Sequence, residues 1–78
     1  MPTAERIDWM LAMLNAADVG PLESIGAKIR QVQEELEARG EAELGKVAAD
    51  ARAALGRGDV VEFRRGRAFL QSKIGHLR

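Results

Sequence analysis

The chain has 78 residues and a formal net charge of zero, from 12 Lys+Arg against 12 Asp+Glu. It contains no Cys and only one His, His76, which excludes disulfide frameworks, thiolate or His-based metal sites and cysteine nucleophiles. The zero conceals a division. Residues 1–51 hold five bases and ten acids, and residues 52–78 hold seven bases and two acids.

With no Tyr, few hydroxyls and one His, most hydrolytic and transfer chemistries lack their parts, so a non-enzyme is expected. No apolar run approaches the ~20 residues of a membrane span. The opening residues lack the basic and apolar regions of a secretory signal, and a soluble cytoplasmic protein is expected. Hydrophobic residues make up 46%, but much of that is Ala, and Trp9, Phe63 and Phe69 are the only aromatics. A chain of this size buries roughly 60% of its unfolded surface. Its own core is therefore thin, and a partner is the natural way to bury more.

Ala, Leu, Glu, Arg and Gln dominate and no stretch alternates with period two, which predicts an all-α chain. The first predicted helix runs from about Ala4 to Ala17, with Thr3 as N-cap and Glu5 favoured by the helix dipole. Ile7, Met10, Leu11, Leu14 and Ala17 follow the i, i+3, i+4, i+7 rule. Trp9 and Met13 widen this face to an arc of about 200°, so the helix needs two neighbours. Asp18-Val19-Gly20-Pro21 then breaks the chain, with Pro21 suited to the first position of a second helix ending near Arg39.

Leu22, Ile25, Ile29, Val32 and Leu36 of this second helix are spaced 3, 4, 3, 4, a heptad seam matched to a single partner helix. Glu35 lies four residues before Arg39, a favourable surface pair. Gly40 either ends the helix or sits inside one continuous helix over residues 21–55. The break is preferred, because an interior Gly costs about 1 kcal/mol and a rod of about 52 Å would outrun its cover. The third helix, Glu41 to Leu55, carries enough Ala for close approach of a neighbour. After Gly56-Arg57-Gly58, Asp59 and Glu62 form a capping box opening a fourth helix at Val60. Val60, Phe63, Leu70, Ile74 and Leu77 share its apolar face, Arg67 falls inside that arc, and Val61 and Phe69 point elsewhere. Gly66 and Gly75 lower its helix propensity. The expected fold is a small bundle of three or four helices in a single domain, with a C-terminal antiparallel helical hairpin. No internal repeat is present.

The residues offer two candidate surfaces. Trp9, Met13 and the seam residues Leu22, Ile25, Ile29, Val32 and Leu36 form a candidate protein interface. Arg64, Arg65, Arg67, Phe69, Lys73 and Arg78 form a candidate basic patch, cations around an aromatic that suit a phosphate backbone and a stacked base. Against nucleic acid stands the balanced charge, which invites the basic helix to pair with the acidic second helix, within the chain or across a dimer. Arg67 is expected to lay its stem on the core edge and reach water. Arg57-Gly58-Asp59 matches the triplet integrins read but is expected to be a helix turn with a capping Asp. Glu34, Glu37 and Glu41 lack the His of a di-metal carboxylate site, and Ser72 with His76 lacks an orienting acid.

The expectation is a helical protein–protein interaction module, self-associating as a homodimer or a small subunit of a larger complex. The alternative is a small nucleic-acid-binding regulator using the basic helix. No cofactor, metal or membrane partner is expected.

Overall fold

The computed structural model describes residues 3–17 and 20–77, and the side chains of all of these except Thr3 and Ala4. Of the expected cap only the backbone of Thr3 is described, as the first residue of the first helix; the Asp18-Val19 part of the break and Arg78 lie outside the described residues. Four helices follow in order: α1 Thr3–Ala16, α2 Leu22–Ala38, α3 Ala42–Gly56 and α4 Val60–Gly75. They form an all-α four-helix bundle in which each helix packs on its sequence neighbours and α4 returns to α1. The α2–α3 and α3–α4 seams are the most extensive. Short connections make these neighbours antiparallel.

The Gly40 question resolves as a break. Gly40 has φ 80°, the left-handed geometry that glycine adopts without penalty. Its amide donates to the Glu37 carbonyl at 3.1 Å, and the next amide, Glu41, donates to Leu36 at 2.9 Å. This paired pattern is a Schellman motif, which satisfies carbonyls the helix end would leave open. Gly58 repeats it at the end of α3, with φ 77°. There Gly58 donates to Leu55 at 3.1 Å and Asp59 to Ala54 at 2.8 Å. In both places the residue after the glycine, Glu41 or Asp59, is already the N-cap of the next helix. In each hairpin a single glycine separates the C-cap of one helix from the N-cap of the next.

At the second junction the capping box is half formed. The Asp59 carboxylate accepts from the Glu62 amide at 3.1 Å, as expected. The reciprocal bond is absent because the Asp59 amide is already engaged by Ala54, and the Glu62 carboxylate accepts from Arg65 at 2.9 Å instead. Pro21 sits one place earlier than expected, as the N-cap residue of α2, its carbonyl accepting from the Ile25 amide at 3.1 Å.

The core is built from Ile7, Met10, Leu14 and Ala17 of the first segment, Ile25, Ile29, Val32 and Leu36 of α2, Ala48, Ala51 and Ala54 of α3, and Phe63, Leu70 and Ile74 of α4. The wide arc of α1 meets two helices, α2 and α4, as its width requires. The narrow seam of α2 also meets two, α1 and α3, because in a ring of four it points at the bundle centre. Val60 departs from its expected face and is exposed, being the first residue of α4 at the end of the bundle.

Small residues set the α3–α4 distance. A methyl placed on Gly66 would stand 3.1 Å from the Ala51 Cβ and 4.0 Å from the Val47 carbonyl. Gly66, read from sequence as a weak helix former, is the contact point of the two helices.

Side chains tie the other seams. Arg6 of α1 donates to Glu35 of α2 at 2.6 Å, with its guanidinium 4.4 Å from the Trp9 ring centroid. Arg52 of α3 donates to Gln33 of α2 at 2.9 Å, and Gln71 of α4 to Asn15 of α1 at 2.8 Å. The expected Glu35–Arg39 pair gives way to Arg6, which reaches the same carboxylate from the neighbouring helix.

Candidate functional site

The candidate interface residues divide. Ile25, Ile29, Val32 and Leu36 lie in the interior of the single chain, so the seam serves the chain's own core and is closed to a partner. Leu22 lies outside it, 65% exposed at the start of α2. It lines a furrow on the α2–α3 side with Gly26, Ala53, Leu55 and the cations Arg30 and Arg52. Trp9 and Met13 are half-buried against the core, with Trp9 covered on one side by Arg6.

The basic candidates divide as well. Arg67 is half-buried and turns toward α1, its Nη1 3.4 Å from the Leu14 carbonyl in the last turn, which also accepts from the Ala17 amide at 3.2 Å. It belongs to the α1–α4 seam. Arg65 is exposed but paired with Glu62 at 2.9 Å. Arg64, Phe69 and Lys73 are exposed, with the Lys73 ammonium 5.5 Å from the Phe69 ring centroid. The expected pairing of acidic α2 with basic α4 inside the chain does not form. These two helices sit diagonally in the ring, and among the described residues no ion pair joins them.

What the structure assembles instead is a surface on the α3–α4 hairpin, centred on Phe69. This ring is 44% exposed although it is aromatic and mid-helix. It lies where two furrows meet. Toward one end it shares a furrow with Leu44, Val47 and Leu77, rimmed by Glu41, Glu43, Lys73 and His76. Toward the other it shares one with Val47, Ala53 and Ala54, rimmed by Asp50, Arg57, Glu62 and Arg65. Leu44, Val47 and Leu77 are only partly covered by the core.

The reason is local. Gly66 draws α4 onto α3 at one level, and the Ala-rich stripe of α3 fills little volume beside it. The larger side chains on the outer flank stand over the resulting groove without closing it. Sequence reasoning placed Phe69 among the cations but missed Leu44 and Val47 as its apolar neighbours. Helical phase places both on the same side of α3 as the buried Ala48, Ala51 and Ala54, yet they are only partly covered.

The Arg6 guanidinium beside Glu35 holds that carboxyl below the ordinary carboxylate range, mainly through the direct hydrogen bond, and the Arg6 value is raised in turn. Among the described residues no group of three His, Cys, Asp or Glu side chains gathers to hold a metal ion. Among the described residues no helix is long and apolar enough to cross a membrane. Comparison with protein-family models, with curated proteins and with solved structures finds no match.

Proposed function

We propose that the chain is a non-enzymatic helical protein–protein interaction module whose recognition surface is the outer face of the α3–α4 hairpin. One observation carries this reading: Phe69 stands exposed over an apolar groove formed with Leu44 and Val47. An aromatic anchor among partly covered aliphatics, ringed by charges of both signs, is the composition of an interface centre and rim. The seam of α2, the other large apolar stripe, is consumed by the core.

A photo-crosslinking residue at position 69 tests it in cells, with one at position 30 on the opposite flank as control. A discrete protein adduct is expected from position 69, lost when Leu44 and Val47 are changed to Ser. Equal yields from both positions would remove the reading.

The second reading, a small nucleic-acid-binding regulator, draws on Phe69 lying between Arg65 and Lys73, an aromatic flanked by cations. Its support is smaller, since Arg67 faces α1 and Glu62 occupies Arg65. A gel shift that weakens steeply between about 50 and 200 mM salt, and is lost in an R64A/R65A variant, is its signature.

A further inference from the structure

We infer that the partner of the Phe69 face is a second copy of this chain, docked about a two-fold axis that runs along the α3–α4 pair. The inference rests on the interaction-module reading and adds the occupant and its orientation. It is carried by the way charge is arranged on the two rims of the groove.

The helices are antiparallel, so each level of the groove has one residue from α3 and one from α4. At one end Glu43 stands on the α3 rim and Lys73 on the α4 rim of the same furrow. Toward the other end Asp50 stands on the α3 rim and Arg65 on the α4 rim. At the far end the signs exchange, with Arg57 on the α3 side and Glu62 on the α4 side. At all three levels one rim is acidic and the other basic; Arg65 and Glu62 already pair within α4 at 2.9 Å and Arg57 with Asp59 at 3.9 Å, so Glu43 against Lys73 carries the selection.

Two isologous arrangements can bring this face onto itself with Phe69 central. In the first, the two-fold runs parallel to the helices. It lays α3 of one copy on α4 of the other without changing level. Glu43 then meets Lys73 of the second copy, Asp50 meets Arg65, and Arg57 meets Glu62. Phe69 lands on Val47 and Leu44 of the second copy, and the contact is made twice.

In the second, the two-fold runs across the helices. It lays α4 on α4 with the direction reversed about Phe69. Arg65 and Lys73 lie four residues to either side of Phe69 in sequence, so Arg65 then meets Lys73 of the second copy. Asp50 lies three residues beyond Val47 and Glu43 four before it, so these two acids also come close to each other. Like charges face like on both helices, which is repulsive. The rim charges therefore select the first arrangement and leave the apolar centre free to close. The zero net charge removes the overall repulsion that would oppose two copies meeting.

Sedimentation equilibrium on the full chain, from about 1 to 200 µM at low salt, reads the association. The expected result is a monomer–dimer equilibrium whose Kd rises at least about tenfold in F69S, with the circular-dichroism spectrum unchanged. E43K alone and K73E alone are each expected to weaken the dimer about five- to tenfold, and E43K/K73E to restore it. All three substitutions fall on exposed side chains, so the fold itself stays intact.

Strengthening by E43K alone would overturn the orientation, because the crosswise arrangement predicts that sign. A monomer at the highest concentration would overturn the second copy as partner. If position 69 still crosslinks a different protein in cells, the module reading survives that failure. If it crosslinks nothing, both fall.

Discussion

Gly66 of α4 rests against Ala51 of α3 so closely that a methyl on the glycine would stand 3.1 Å from the Ala51 Cβ. The Ala51 methyl cannot rotate aside, so the helices must part. G66A gains about 1 kcal/mol of helix propensity and loses packing along a whole seam, a loss of typically 1–3 kcal/mol for an overpacked contact. The expected net effect is a destabilisation of about 1 kcal/mol, larger for G66V. G56A, where a methyl meets nothing within 4 Å, is expected to be neutral or slightly stabilising. Urea melts of the three variants check this, and a stabilised G66A would show that the seam has slack.

Gly40 and Gly58 act through the backbone. Both have φ near +80° and open space around them, so a side chain there meets strain and not a clash. G40A and G58A are each expected to cost about 1 kcal/mol, with Asn milder than Ala. Chemical denaturation decides; a G40A variant of unchanged stability and higher helicity would mean that α2 and α3 fuse.

The α1–α2 ion pair gives a pH signature. Arg6 lowers the Glu35 carboxyl from its ordinary value of 4.5. A lowered folded-state value means that the stabilisation is full above the unfolded value and is lost as pH falls through the folded one. The melting temperature of the wild type is therefore expected to exceed that of E35Q at pH 7, with the gap closing below about pH 4. A gap that stays constant down to pH 3 would assign the difference to packing. Arg6 is about half exposed while the Glu35 side chain keeps 18% of its surface, and added salt is expected to narrow the gap in part.

The half-formed capping box separates two neighbouring acids. D59A removes the acceptor of the Glu62 amide and is expected to cost about 1 kcal/mol. E62Q leaves that bond in place and touches only the exposed pair with Arg65, so a change under about 0.5 kcal/mol is expected. Equal losses in the two variants would restore the reciprocal bond that the Ala54–Asp59 contact excludes.

The parts of this fold legible in the sequence are those fixed within one helix or one turn. The seam of α2 and the Asp59 cap follow from spacing and residue type alone, whereas at Gly40 residue type only favours a break over a continuous helix. Periodicity shows which face of a helix is buried, however, and not what covers it. Ile29 and Val32 thus read equally well as an interface and as a core. Glu35 was assigned to Arg39, four residues away, because local pairs are the only ones a helix projection contains. Arg6, which holds it, is 29 residues distant. Gly66 read as a weak point in α4 because absence of a side chain looks the same whether it loosens a helix or makes room for another. The Phe69 groove depends on that close approach, so it was hidden for the same reason.

Glu41 and Asp59 each close one helix with an amide and open the next as its cap. The two hairpins therefore carry no spare link. Inserting even one residue at either junction separates the closing bond from the opening cap, and the helix that follows must turn about its axis to recover either one. Since α3 has such a junction at both ends, its rotation relative to α2 and α4 is indexed from two sides. The pairing of the Glu43 and Asp50 rim with the Lys73 and Arg65 rim is thus fixed by turn chemistry, far from the charges themselves.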